Sequence, residues 1–266
     1  MIRDKHFPMR LSGAALALSL AAVLASTLPG SAASGSTGFS LWVFASPSRP
    51  AITARATSPA NAPSVFSPDK GKFRITISGQ QVGSEDFEIS AAADFWIQRS
   101  SMNAHSPDGA NIKASGQLKL SADGAPMRYD WSAEAQKKAT GFVDFAGGMA
   151  KCTADLGGRA PLRKDFDFKS PIVAVLDNNL YYQFGVLARV YDWKAGGKQT
   201  FPVLIPQDMI PGSISVESLG PQQAGNGRYE TLRVSSPDLE ILVYVDASHR
   251  MMRLEVPSSN VTIERE

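Results

Sequence analysis

"IKASGQLKLSADGAPMRYDWSAEAQ", Ile112 to Gln136, decides how this chain is read. Ile112, Ala114, Gly116, Leu118 and Leu120 alternate with Lys113, Ser115, Gln117, Lys119 and Ser121. Met127, Tyr129, Trp131, Ala133 and Ala135 then alternate with Arg128, Asp130, Ser132, Glu134 and Gln136. A period of two puts one set of side chains on each face of a strand. "ADGAP" between the two runs has the composition of a hairpin turn. The stretch therefore predicts two antiparallel strands, one face apolar and the other in water.

The same period recurs on both sides. Phe73, Ile75 and Ile77 oppose Arg74 and Thr76, and "SGQQVG" makes a turn. Glu85, Phe87 and Ile89 then share a face, so a carboxylate stands on the apolar side. Phe95 and Ile97 share a face with Arg99. Val143 and Phe145, then Leu162, Phe166 and Phe168 with Lys164 among them, read as further short strands. Near the end Leu239, Ile241, Val243 and Val245 alternate with polar residues, though Leu242 and Tyr244 make the outer face apolar too. Met252, Leu254 and Val256, then Val261 and Ile263, close the chain. One apolar and one polar face means a single sheet, and a long sheet of this kind curls and covers its apolar side.

The cover is expected in "LYYQFGVLARVYDW", Leu180 to Trp193. Val173, Leu176, Leu180, Phe184, Leu187 and Tyr191 recur at spacings of three and four, one stripe of a helix. Ser170 and Pro171 read as its start and Gly196–Gly197 as its end. Asp177, Asn178 and Asn179 are poor mid-helix residues, which allows a start near Asn178 with 171–176 extended. In "FPVLIPQDMIPG", Pro202, Pro206 and Pro211 argue for an edge piece or a loop. The fold class expected is mainly β: a curled antiparallel half-barrel with one main α-helix on its concave apolar face.

Ahead of this body, Arg3, Lys5 and Arg10 lead into an apolar run, Leu11 to Leu28, and then Pro29, Gly30 and "SAAS". This is the pattern of an export signal cleaved after Ala33; a retained anchor is the other reading, and Met9 is an alternative start. Residues 34–68 read as a Pro/Ala/Ser-rich flexible linker, and 69–266 as the β domain. "FSLWVF", Phe39 to Phe44, is an apolar island whose role stays open: a docking strand, a membrane contact or neither. The formal charge of +2 belongs to the signal and linker, and the body from Asp69 onward is about −2. That excludes the clustered basic footprint of a nucleic-acid binder. Cys152 is the one cysteine, so no disulfide forms within the chain. Its alternation with Ala154 and Leu156 predicts a buried strand thiol, with an intermolecular bridge or a reactive thiol as the alternatives.

The catalytic inventory is thin. His105 and His249 both stand beside turn residues, and no G-x-S-x-G elbow or phosphate loop is present. No metal site and no cofactor is expected, although Asp165 and Asp167 leave a carboxylate calcium site open. Glu85, Arg99 and Lys164, polar on apolar faces, either orient a ligand inside a pocket or lie at strand ends and in structural ion pairs.

"GKFRITISGQQVGSEDFEIS" with its Gly79, Val82 and Gly83 turn, the "VLIPQ" segment at Val203 to Gln207 and the closing "VYVDASHRMMRLEVP", Val243 to Pro257, resemble a group of exported bacterial proteins of unknown function. The resemblance covers roughly residues 70–266. It implies an antiparallel half-barrel like that of the periplasmic lipoprotein carriers, which have several helices where this chain has one. No functional residue carries over. The leading expectation is a non-enzymatic, exported protein. An apolar ligand, a lipid or a lipidated partner would lie between Phe95, Met127, Tyr129 and Trp131 on the sheet and Leu180, Phe184, Leu187 and Tyr191 on the helix. A cell-envelope assembly protein acting by protein contacts is the alternative, with Leu242 and Tyr244 as its contact patch. A hydrolase with a spatially assembled site is a third reading.

Overall fold

The computed structural model describes residues 64–106, 109–157 and 160–266. The expected signal, Phe39–Phe44 and most of the linker lie outside these residues. Eight strands come first: β1 (Asp69–Ile77), β2 (Gln80–Ala92), β3 (Phe95–His105), β4 (Asn111–Leu120), β5 (Pro126–Glu134), β6 (Lys138–Ala146), β7 (Met149–Asp155) and β8 (Leu162–Asp167). A short β9 (Ala174–Val175) and the helix α1 (Tyr182–Val190) follow. The chain ends with β10 (Lys198–Ile205), β11 (Ile210–Ala224), β12 (Gly227–Ser236), β13 (Leu239–Val245), β14 (Met251–Val256) and β15 (Val261–Arg265).

All fifteen strands belong to one sheet, ordered β8-β7-β6-β5-β4-β3-β2-β1-β15-β14-β13-β12-β11-β10-β9. Among the described residues the path begins in the middle at β1, meanders out to one edge at β8, crosses to the other edge, and meanders back to pair β15 with β1. Every pairing is antiparallel except β9 with β10. Only residues 168–173 separate β8 from β9, so the two edges stand no more than about 25 Å apart. The sheet is thus curled on itself without closing. Lys164 Nζ reaches the Met209 carbonyl oxygen at 3.4 Å across the gap.

This topology places α1. The segment that crosses between the edges runs through the concave face, and Tyr182 to Arg189 are all buried. A nine-residue helix is too short to persist alone in water, so the surrounding sheet holds it. The expected helix start at Ser170 is replaced. The Ser170 hydroxyl bonds the amide and carbonyl of Ile172, and Ala174–Val175 pair with β10. The Asp-Asn-Asn run that weakens a helix ends up as the turn into α1.

Two further expectations change. Pro202 and Pro211 both lie in strands. Pro202 is tolerated because only the two residues of β9 flank β10 on its outer side, and Pro211 is the second residue of β11. Strands β11 and β12 escape a period-two search, because β11 carries Pro211, Gly212, Gly220 and Pro221, and its register shifts between Ser218 and Gly220. The body also begins before Asp69. Phe66 is 5% exposed and packs beside Trp96, with ring centroids 5.9 Å apart.

Candidate functional site

The polar residue on the apolar face of β2 is tied to the helix. Glu85 is fully buried. Its Oε2 accepts the Tyr181 main-chain N–H at 2.8 Å and its Oε1 that of Tyr182 at 3.2 Å. These amides open α1, and Tyr181 supplies no capping side chain of its own. A carboxylate from the sheet therefore does the work of an N-cap, where the helix dipole also favours negative charge. Burial pushes the Glu85 carboxyl up to about 7, against the hydrogen bonds from Ser100 and the two amides, and the nearby Asp177 adds to the rise.

Asp177 is the second buried acid. It accepts the Tyr129 hydroxyl at 2.5 Å, the Asn179 N–H at 2.8 Å and the Gln207 side-chain amide. Its own N–H donates to the Gln183 side chain. Burial, above all, raises its pKa and pushes the Tyr129 phenol well above its ordinary value. Gln98 Nε2 donates to the Ser100 hydroxyl at 2.7 Å. Gln98 Oε1, Gln183 Nε2 and Gln207 Oε1 are buried without a protein partner. Two acids of raised pKa beside a phenol have the composition of an acid–base site. The gap between α1 and the sheet, lined by Asp177, Phe184 and Leu239 among others, measures about 30 Å³, roughly one water's share of the liquid.

The far end of α1 is pinned by charge. Asp69 and Arg189 are each 2% exposed at the side chain and stand 3.4 Å apart. Arg265 closes on Asp69 at 2.6 Å, the Tyr182 hydroxyl donates to it at 3.1 Å, and Arg189 also bonds the Ser67 hydroxyl. A cation in the last helical turn suits the dipole. Sequence reasoning missed this group; its one signal is Arg189 inside the apolar run "VLARVY".

Of the expected lining, Tyr129, Trp131, Leu180, Phe184, Leu187 and Tyr191 are buried in the core. Phe95 and Met127 are not. In β3 the inward residues are Gln98, Ser100, Met102 and Ala104, which puts Phe95 and Arg99 on the outer face. The inner face there is polar because Ser100 serves Glu85, and hydropathy alone chose the wrong side. Phe95 carries the Lys119 ammonium 3.7 Å above its ring. Met127 is turned out by a bulge: Lys119 pairs with Arg128 and Leu120 with Pro126, so Pro126 takes the inward place. Arg99 is exposed and bonds Gln117, and Lys164 is exposed on the edge strand β8. Neither enters the space between α1 and the sheet.

The outer patch also differs. Tyr244 is covered, and its hydroxyl bonds Glu255 at 3.0 Å. Cys152 is buried in β7, and burial pushes its thiol up to about 11. His105 is exposed. His249 stacks on Trp193 with centroids 4.2 Å apart. Asp165 and Asp167 are exposed on β8, and among the described residues no three His, Cys, Asp or Glu converge as a metal set.

No protein-family model matches the chain, and no curated protein matches it. Solved structures do. The β-barrel-like protein of the domain of unknown function DUF1849 from Brucella abortus superposes with a TM-score of 0.51. The identity is 11%, over 75% of this chain and 94% of that one. The likeness is one of fold. It shows that this curled sheet has a β-barrel-like fold. A DUF1089 family protein from Pseudomonas aeruginosa aligns at a TM-score of 0.42, with 10% identity over 66% of this chain and 90% of that one.

Proposed function

We propose that this is an exported, non-enzymatic protein of the bacterial cell envelope that works through its outer surface by contact with a partner. The observation that supports this most is the occupied concave face: Tyr182 to Arg189 of α1 are all buried there, and the gap between Phe184 and strands β10 to β13 is about 30 Å³. That is far below the several hundred Å³ a drug-sized ligand needs. The basic-then-apolar N-terminus supports export. The test is crosslinking in whole cells followed by fractionation. The mature chain, cut after Ala33, is expected in the periplasmic or secreted fraction and crosslinked to an envelope protein. Full-length protein in the cytoplasm, or an exported protein without crosslinks, would overturn the reading.

A second reading keeps an apolar ligand or lipid beneath α1. It is favoured by the lining of that gap, which is mostly Leu176, Phe184, Val203, Ile214, Val234 and Ile241. A helix displaced from its pins would open an apolar space. Native mass spectrometry after gentle purification decides: a co-purified lipid supports this reading, and a bare chain that binds no fluorescent fatty acid removes it.

A further inference from the structure

The outer face of a curled sheet is expected to bulge outward. Over β1 to β5 it dips instead, into an open groove of about 650 Å³. The register supplies the cause. Gly71, Phe87, Ser100, Gly116 and Trp131 are cross-strand neighbours in one inward row, and Gly141 continues it on β6. A Cβ on Gly116 would stand 2.5 Å from the Tyr129 hydroxyl and 2.7 Å from Leu180. On Gly141 it would meet the Trp131 ring at 2.6 Å, and on Gly71 the Phe87 ring at 2.8 Å. Where the inner row lacks side chains, the backbone settles onto the core and the opposite face sinks.

Two outward rows wall the groove. One is Asp86, Ser101, Ser115 and Ser132, direct neighbours across β2 to β5. The other is Lys70, Glu88, Arg99, Gln117 and Asp130 across β1 to β5. The rows are two residues apart along each strand, so about 7 Å separates them, and five strands give a length of about 19 Å. Ser115 and Ser132 already bond each other at 2.9 Å, and Arg99 donates to Gln117 at 2.9 Å.

We propose that this trough binds a neutral oligosaccharide, lying across the strands. The inference builds on the reading that the outer surface is the working face and names a ligand for it. The shape suits an extended, narrow chain. The walls offer hydroxyls, an amide, a guanidinium and carboxylates, donors and acceptors together, to the hydroxyls of a sugar. The backbone floor offers carbon surface to the C–H face of a ring. The charges nearly balance, two cations against three acids, which disfavours a phosphodiester chain. An extended peptide lacks its usual anchor, because these are interior strands whose main-chain groups are spent in the ladders. A lipid tail would stay open to water along the groove.

Isothermal titration of the purified protein with chitotetraose, cellotetraose and maltotetraose tests the proposal. At least one is expected to bind with a Kd of about 1 mM or tighter. Arg99→Ala and Gln117→Ala should each weaken it about tenfold, and Ser115→Trp should abolish it with an unchanged melting temperature. Arg233→Ala, on the distant β12, serves as a control and should have no effect. Absence of binding to all three, or binding indifferent to Ser115→Trp, overturns the proposal. So does a preference for heparin or for an unfolded polypeptide. A protein that binds no glycan yet still crosslinks to an envelope partner sinks this inference alone. One that binds a glycan but captures no partner sinks the contact reading instead.

Discussion

The carboxylate of Glu85 lies 2.8 Å from the main-chain nitrogen of Tyr181, 96 residues further along the chain. This contact joins the second strand to the first turn of α1. It turns a charge on the apolar face of a strand into the cap of a helix.

At pH 5, where the folded Glu85 is protonated, Glu85→Gln keeps one acceptor oxygen but turns an NH2 donor towards the second helix amide, and should cost about 1–2 kcal/mol. Glu85→Leu strands both helix amides in the core and should cost more. Urea unfolding followed by circular dichroism checks the order. Equal stability of the three proteins would deny the capping role.

Stability should fall as pH rises from 5 to 7. Glu85 ionises at about 7 when folded against an ordinary 4.5, so the folded state holds its proton through that window and the unfolded state does not. Its stabilising contribution is full below pH 4.5 and lost as pH climbs through 7. The gap corresponds to on the order of 3 kcal/mol. Asp177, also raised, acts in the same direction. Asp69 is lowered by its arginine and tyrosine partners against the pull of burial, so its own contribution is lost only on acidification below the ordinary carboxylate range. Denaturation midpoints across this window should show the slope in the parent protein and a flatter line in Glu85→Gln.

Arg189→Ala leaves Asp69 buried with Arg265 and Tyr182 but without its helical partner. Breaking a buried pair costs about 3–5 kcal/mol, which for a domain of this size is a fall in Tm of about 10 °C. Differential scanning calorimetry reads it. A shift confined to a degree or two would mean that water or Arg265 takes over the role.

Gly116→Ala places a methyl group against the Tyr129 hydroxyl and Leu180. The expected cost is about 1–3 kcal/mol, with a changed near-ultraviolet signal from Tyr129 and Trp131. An unaltered spectrum and stability would show that the sheet can lift at this point, and would remove the cause assigned to the outer groove.

Cys152 should resist thiol reagents in the native protein and react fully in guanidinium chloride, since it is buried and its thiol is held at about 11. Rapid labelling of the folded chain would contradict the packing of β7.

The alternation at Ile112–Gln136 was enough to read the strands, because a period of two is a property of the local chain. The same period at Glu85, Phe87 and Ile89 places Glu85 inward, and the spacing of three and four predicts a helix around Phe184 and Leu187. The reading failed where distant partners set the burial. Gln98 and Ser100 point inward because Glu85 and its helix lie there, and Phe95 and Arg99 point outward as a consequence. Met127 turned outward through a bulge that no alternation announces.

By itself, then, the sequence determined that this is a curled antiparallel sheet with one helix and a buried lone thiol. Hydrophobic periodicity and turn chemistry act between near neighbours and are written along the chain. Only the tertiary structure decided that the helix fills the curl, that Glu85 and Arg189 hold its two ends, and that the inward glycines line up beneath an outer trough. Each of these depends on register between strands, and register brings together residues that the sequence keeps far apart.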